Sequence, residues 1–213
     1  DLHSFPTRRS SDLWASFIWS VADLLRGDYK QSEYGRVILP FTVLRRLDCV
    51  LADTKEAALA EFALRTQAKL NPGPFLLRVT GRGFYNVSRL DMKRLMGDQD
   101  HIAANLEGYI DGFSPEVRDI FERFDFFTQV DRLQRAGLLY QVTERFATID
   151  LHPDAVDNHQ MGLVFEELIR RFNEENNEEA GEHFTPRDVV KLMADLIFLP
   201  VADDIESGTY LVY

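Results

Sequence analysis

The sequence predicts a mostly α-helical protein in two parts. Apolar residues recur at helical spacing along most of the chain, and Ser, Thr, Asp and Gly stand where helices would begin and end. Residues 13–150 are expected to form an N-terminal helical domain. Residues 157–213 begin with helical patterns and end in a β-rich apolar run, which indicates a first strand that continues beyond this sequence.

The helices of the first part are predicted from their apolar stripes and caps. A long pattern over 32–67 contains Pro40, so a kink or break is expected there. The segment 71–87 is the least helical, and its runs 75–79 and 84–87 are interpreted as a β-hairpin around the Thr-Gly-Arg-Gly turn at 80–83. Thr128 and Asp131 are interpreted as a capping box. Further helices are predicted over 14–25, 89–96, 99–112, 115–125, 128–136 and 138–146.

The second part starts at Asp157 and Gln160, which bracket a predicted helix start. An acidic connector over 173–182 follows, and then Thr185 as N-cap, Pro186 at the first helical position and an apolar helix. Free backbone N–H groups at such a helix start suit a carboxylate or phosphate. An ordinary capped helix is the alternative interpretation of this segment alone.

Composition narrows the functional classes. The chain has 213 residues, a formal net charge of -11 and one cysteine. Because affinity for nucleic-acid phosphates comes from Lys and Arg, a basic partner or a further part of the protein would have to attract DNA. The single Cys49 excludes an internal disulfide and a cysteine-rich zinc site, and it fits a reducing cytoplasm. No apolar run approaches the ~18 residues of a membrane span, and the scattered histidines predict no metal site.

Residues 1–12 have no helical or strand period and are similar to translated sequencing-adaptor sequence. We expect a non-native tail without regular structure there. The pair Arg45-Arg46 is compatible with contact to DNA phosphate, although an interhelical or surface ion pair is favoured. The segment from Asn71 to Phe75 reads Asn-Pro-Gly-Pro-Phe, and it is interpreted as a Pro/Gly loop.

Six short segments occur in one order along the chain. They are LW at 13–14, ADLLRG at 22–27, LP at 39–40, LRRLD at 44–48, MGLVFEELI at 161–169 and GEHFTP at 181–186. In this order and spacing they resemble the modification (M) subunit of a type I restriction–modification system. The similarity covers most of the chain from Leu13 onward, and the ordered set is more specific than any single segment.

This resemblance implies a helical domain followed by a Rossmann-like α/β methyltransferase domain, of which residues 157–213 would be the truncated start. It implies transfer of a methyl group from S-adenosyl-L-methionine to the N6 amine of adenine in DNA. The family's first cofactor-contacting stretch corresponds here to Glu182, His183, Phe184, Thr185, Pro186 and Arg187. Family members commonly carry another residue where His183 stands, so its backbone is expected to matter more than its ring.

The family's glycine-rich cofactor loop and its catalytic Asn-Pro-Pro-Phe/Tyr motif do not occur in this sequence, so no catalytic residue is assigned. The resemblance further implies a cytoplasmic location and four partners, namely DNA, the specificity (S) subunit, the restriction (R) subunit and a second M subunit. Two alternatives stay open. One is a non-catalytic helical protein-interaction module, and the other is a methyltransferase with its own fused recognition domain.

Overall fold

The chain is described from a computed structural model, which covers residues 8–175 and 187–200, with side chains over 16–170 and 189–200. The described residues are helical, and no β-strand occurs among them, so the mostly α prediction is confirmed. The helices are α1 (Arg8–Leu25), α2 (Tyr34–Leu51), α3 (Lys55–Gln67), α4 (Gly73–Thr80), α5 (Met92–Leu95), α6 (Ile102–Asp111), α7 (Pro115–Arg123), α8 (Phe126–Arg135), α9 (Leu139–Thr148), α10 (Asn158–Glu175) and α11 (Arg187–Phe198). Single 3₁₀ turns at Gln31–Glu33 and Ala52–Thr54 precede α2 and α3.

Aromatic side chains form the centre of the core between α1, α2, α8 and α9. The ring of Phe41 stacks on Phe146 at 5.2 Å and meets the edge of Phe126 at 5.0 Å. Phe17 contacts Phe146 edge-on at 5.2 Å. Such ring pairs contribute about 0.5–1.5 kcal/mol beyond the apolar area that they bury. The helices predicted from amphipathic stripes therefore meet around one aromatic cluster.

The predicted hairpin over 75–87 is wrong, because α4 occupies its first half. The short apolar run there fits a buried helix as well as a strand, and periodicity alone does not distinguish them. Leu76 is fully buried, and Gly81 ends α4 in the left-handed region with φ 60°. The second half pairs only through an isolated bridge between Asn86 and Phe113.

Pro40 neither breaks nor ends a helix, since α2 continues through it to Leu51. The interruption of the predicted 32–67 helix is the 3₁₀ turn Ala52–Thr54 instead. A proline inside a helix costs about 3 kcal/mol. The fully buried side chains of Ile38 and Phe41 offset that cost, because each contributes about 1.5–3 kcal/mol of apolar burial.

Two helix starts also differ from the sequence pattern. Helix α8 begins at Phe126, so the predicted capping box at Thr128 is wrong, and the Thr128 hydroxyl donates instead to Asp125 Oδ1 at 2.6 Å. Helix α1 begins at Arg8, so the expectation of no regular structure through residue 12 is wrong for residues 8–12. Whether residues 1–12 are non-native stays a prediction.

Helix α10 starts as predicted. The amide of Gln160 donates to Asp157 Oδ1 at 2.7 Å, and the amide of Asp157 donates to Gln160 Oε1 at 3.0 Å. The side chains of Met161, Val164 and Leu168 are buried in the same apolar core as the helical domain. The first helix of the second part therefore packs directly on the N-terminal domain.

Helix α11 exposes most of its apolar side chains within the described part of the chain. Val189 is 41% exposed and Leu192 is 58% exposed. Both apolar side chains are therefore partly uncovered. The strand expected at the end of the sequence lies outside the described residues.

Candidate functional site

The predicted cofactor segment borders α11. Glu182, His183, Phe184, Thr185 and Pro186 lie outside the described residues, and Arg187 is the first residue of α11 with no described side chain. The predicted N-cap Thr185 and first helical residue Pro186 lie outside the described residues, so the start of this helix stays a prediction, and the structure describes it from Arg187 onward. The assignment of these residues to the cofactor stays a prediction.

Arg46 connects α2 to the junction between the two parts of the chain. Its Nη1 donates to the carbonyl oxygen of Leu151 at 2.6 Å and to that of Val156 at 2.7 Å. Its Nη2 donates to Asn158 Oδ1 at 2.8 Å. A guanidinium carries five donors in a rigid fork, and three of its hydrogen bonds here reach the residues that lead into α10.

The guanidinium of Arg46 is unavailable to an outside ligand. The residue is 9% exposed, and burial lowers its pKa, with the nearby charge of Arg82 acting in the same direction. Two neutral carbonyls and an amide bind it, and no carboxylate of the described residues lies within ion-pair distance. Neither earlier interpretation of Arg46, as a DNA contact or as an ion pair, is therefore correct.

Arg45 and Asp48, one turn apart on α2, form a largely buried ion pair within one helix, whereas the sequence favoured an interhelical or surface pair. Arg45 Nη1 lies 2.7 Å from Asp48 Oδ2, and Arg45 Nε donates to the carbonyl oxygen of Ile149 at 2.7 Å. Asp48 Oδ1 accepts from the hydroxyl of Tyr109 at 2.6 Å and from the amide of Met92 at 3.3 Å. Burial raises the pKa of the Tyr109 hydroxyl, and the Asp48 carboxylate raises it further. Asp48 thus joins α2 to α5 and α6.

A cleft of about 400 Å³ opens beside this network, lined by residues of α2, α3, α5 and α6. At its wall the ammonium of Lys55 donates to the carbonyl oxygen of Leu90 at 2.5 Å and lies 5.2 Å from the ring centre of Tyr109. Burial lowers the pKa of Lys55. Arg94 pairs with Asp91 at 3.3 Å and with Glu56 at 3.2 Å. Lys55 and Arg94 already bind the backbone and two carboxylates at the wall of the cleft. These contacts therefore stabilise the fold and are not evidence of a ligand site.

Other classes of site receive no support from the described part of the chain. It contains no group of three or more His, Cys, Asp or Glu side chains able to hold a metal ion. None of its helices combines the length and the apolar character that crossing a bilayer requires. The Asn71–Phe75 segment, interpreted as a Pro/Gly loop, is helical from Gly73, because Gly73, Pro74 and Phe75 are the first residues of α4. The loop prediction is therefore wrong for these three residues.

The junction network was missed from the sequence. Arg46 stands between the apolar Leu44 and Leu47, and its neighbours give no sign that it is buried. Its partners lie 105 to 112 residues further along the chain. The sequence drew attention to Arg46 only because it lies in LRRLD, one of the six ordered segments that carry the family resemblance.

Comparison with known families agrees with this two-part arrangement. A family model described as the HsdM N-terminal domain matches residues 14–146, and a model described as N-6 DNA Methylase matches residues 156–209. Neither the curated proteins nor the solved structures give a match. The contacts of Arg46 with Leu151 and Val156 lie at the boundary of the two matched ranges. Because the first model covers more than half of the 213 residues, the chain belongs to the family of type I restriction–modification M subunits, with an HsdM N-terminal domain followed by the start of an N-6 DNA methylase domain.

Proposed function

We propose that this chain is part of a site-specific DNA methyltransferase that transfers a methyl group from S-adenosyl-L-methionine to adenine N6 within a type I restriction–modification complex. The observation that carries the proposal is the order of the two family matches, an HsdM N-terminal domain and then an N-6 DNA methylase domain. The resemblance from the ordered segments supports the same activity. The partners would be DNA, the specificity subunit, the restriction subunit and a second M subunit, in the cytoplasm.

The cofactor would be held by the segment from Glu182 to Arg187. Helix α11, which the structure describes from Arg187 onward, follows this segment directly in the chain. The free N–H groups of a helix start and its dipole favour a carboxylate, which fits the amino-acid end of S-adenosyl-L-methionine. When bound, the cofactor supplies the electrophilic methyl group. The hydroxyl and amide of Thr185 would orient it, and the backbone of His183 would contribute more than its imidazole.

The junction at Arg46 would position this segment. The guanidinium holds the residues that lead into α10, and α10 packs on the core through Met161, Val164 and Leu168. Because the cofactor segment follows α10 in the chain, its starting point would be held in a fixed position relative to the helical domain. Precise placement of reacting groups contributes much of the rate of group-transfer enzymes. The helical domain would thus act as a rigid base for the methyltransferase domain.

The 213-residue chain is expected to be inactive alone, because the sequence contains neither the glycine-rich cofactor loop nor the Asn-Pro-Pro-Phe/Tyr motif of the family. Calorimetric titration of the purified chain with S-adenosyl-L-methionine should show no micromolar binding. Heat of binding in the micromolar range would contradict this expectation. The exposed apolar face of α11 also predicts poor solubility.

Two experiments test the proposal itself. The genomic sequence after the codon of Tyr213 should encode Asp-Pro-x-x-Gly-Ser/Thr-Gly within a short distance, whereas a stop codon there would favour the protein-interaction module. The complete M subunit, purified with its specificity subunit, should transfer a labelled methyl group to duplex DNA. In that complex Thr185→Ala should raise the Kd for the cofactor, while Thr148→Ala at the end of α9 should not. An inactive complex that binds DNA and cofactor normally would refute the proposal.

A further inference from the structure

The negative charge of the chain is concentrated in its second part. Residues 13–150 carry 18 Lys and Arg against 19 Asp and Glu, whereas residues 151–213 carry 4 against 14. The expectation that the net charge of -11 opposes binding to nucleic acid therefore applies to the second part. The helical domain is close to neutral, so the local arrangement of its charges decides what it attracts.

One segment of the helical domain is free of acidic residues. Residues 62–90 contain no Asp or Glu over 29 positions, and no other such stretch of the chain exceeds 14. The same residues contain five cations, which are Arg65, Lys69, Arg78, Arg82 and Arg89. The segment comprises the end of α3, α4 and the loops that flank α4. We name it the acid-free arm.

Four of the five cations project into solvent. Lys69, Arg78, Arg82 and Arg89 are exposed, and none of them has an ion pair with another described residue. Arg65 differs, since it pairs with Glu61 at 2.7 Å and its guanidinium lies 3.9 Å above the centre of the Phe75 ring. Elsewhere in the domain, the exposed Arg26 and Arg123 are paired with a neighbouring Asp at 2.7 and 2.8 Å, whereas Arg36, Arg135 and Arg145 have no ion pair with a described residue. What distinguishes the arm is that four unpaired cations occur together in a segment without acidic residues.

The arm is held in place by apolar packing. Leu76 is buried outside the core cluster of the domain, whereas Phe84 and Leu90 pack against that cluster. The amide of Gly73 donates to Asn71 Oδ1 at 3.0 Å, which orders the loop before α4. Lys69 precedes α4 and Arg82 follows it, and an eight-residue helix is about 12 Å long. At one charge per about 3.4 Å along a DNA strand, that length spans three or four phosphates.

The arm also lies close to the junction. The positive charge of Arg82 is near enough to Arg46 to act on its guanidinium, and Arg46 binds Asn158 at the first residue of α10. Of the five cations, Arg82 is the one whose charge acts on Arg46, and Arg46 donates to the carbonyl oxygen of Val156, the first residue of the methylase match. A ligand that crosses the arm would pass next to the methyltransferase domain.

We propose that the acid-free arm is a binding surface for the phosphate backbone of duplex DNA. The proposal rests on the function proposed above and adds the part of the chain that holds DNA without reading its sequence. A polyanion requires unpaired cations, and the arm provides four of them in a stretch of the chain that contains no Asp or Glu. Leu64, Leu70 and Leu77 are also exposed on the arm, but exposed single leucines are common on protein surfaces. The charge pattern therefore favours DNA over an apolar protein partner.

The test measures the binding of the 213-residue chain to a labelled 20-base-pair duplex by fluorescence anisotropy at several salt concentrations. Each phosphate contact contributes about -0.9 to the slope of log K against log salt, so four contacts predict a slope of about -3.6. The double variant Arg78→Gln and Arg82→Gln should reduce the slope in magnitude by about 2. Its affinity at low salt should fall by about tenfold or more, because each lost contact weakens binding to every sequence alike.

The matched control variant removes two positive charges from outside the acid-free arm. Arg135 and Arg145 are exposed near the ends of α8 and α9, and the double variant Arg135→Gln and Arg145→Gln should keep the slope of the parent chain. Circular dichroism melts establish that both double variants are folded. Equal weakening in the two variants would show a net-charge effect and overturn the proposal.

Two further outcomes also overturn it. The first is that the chain does not bind the duplex at low salt. The second is that sedimentation shows self-association, and that the Arg78 and Arg82 changes abolish this self-association without changing the affinity for DNA. Failure here is distinguishable from failure of the proposed function. A complete M subunit that methylates DNA, while the arm variants bind DNA as the parent does, would overturn the arm alone. A complete subunit that binds DNA through the arm and transfers no methyl group would overturn the enzyme.

Discussion

Replacing Arg46 by alanine tests whether its guanidinium holds the junction. The change removes three hydrogen bonds from a charged donor, each of which contributes about 1.5–3 kcal/mol. It leaves the carbonyl oxygens of the buried Leu151 and Val156 without this donor. Removing the cation also abolishes its own desolvation cost, which is several kcal/mol. The stabilisation lost with the three hydrogen bonds, minus the desolvation cost that is removed, predicts a decrease of about 3 kcal/mol in the free energy of unfolding.

Urea denaturation of the 213-residue chain at pH 7 measures this loss. Arg36→Ala is the matched control, because Arg36 is an exposed arginine on the same helix, and it should change the free energy of unfolding by no more than about 0.5 kcal/mol. Arg46→Lys should fall between the parent and Arg46→Ala, since an ammonium cannot reproduce the fork of the guanidinium. Limited proteolysis should also become faster within 149–158, where the partners of Arg46 lie.

The result that would refute the reasoning is a loss below about 1 kcal/mol for Arg46→Ala with unchanged proteolysis of the junction. The carbonyl oxygens of Leu151 and Val156 would then find water or another donor at little cost. A smaller m-value in the variant would mean something different, namely that α10 separates from the core before the rest unfolds. Far-ultraviolet and aromatic signals with different midpoints would reveal that case.

Two further predictions concern single positions. Gly112→Ala should cost about 1–3 kcal/mol in urea denaturation, because the new Cβ would lie 2.8 Å from the backbone nitrogen of Ser88. Gly108→Ala on α6 is the control, since its Cβ meets no atom within 4 Å, and it should stabilise the chain by about 0.5–1 kcal/mol; equal effects would disprove the clash. The hydrogen bond from Arg132 lowers the pKa of Glu33 to about 2, so its contribution is complete above about pH 4.5 and is lost as the pH falls through 2. Thermal melts of Glu33→Gln should therefore lie below the parent at pH 6 and approach it at pH 2, and a constant difference would contradict that assignment.

Local signals predicted the helices whose amphipathic stripes are long and capped. The start of α10 at Asp157 and Gln160 is one such case, because both capping hydrogen bonds lie within four residues. The segment that became α4 was misread, since its apolar run is too short to show a period and the burial of Leu76 depends on tertiary contacts. The helix does not break at Pro40 for a related reason, because packing of Ile38 and Phe41 outweighs the local cost of proline.

For the candidate sites, too, some features could be predicted from the sequence and others required the structure. The residues from Glu182 to Pro186 were selected from a short motif and its place among ordered segments, and their role stays a prediction. The cations of the acid-free arm were visible in the sequence, but averaging the charge over the whole chain concealed them. Exposure and the absence of ion pairs for Lys69 and Arg78 among the described residues require coordinates.

The order of residues alone determined that this protein is helical, that it has two parts and to which family it belongs. Helix caps and apolar stripes depend on residues that are close in the chain, and the order of the motifs can be read directly from the sequence. The tertiary fold decided what Arg46 does. Its side chain meets Leu151 across 105 positions of the chain, and nothing near Arg46 in the sequence specifies that contact. The fold likewise decided that Gly112 must remain a glycine, because the backbone of Ser88 lies against it. Both roles arise from packing between segments far apart along the chain, which local sequence patterns do not encode.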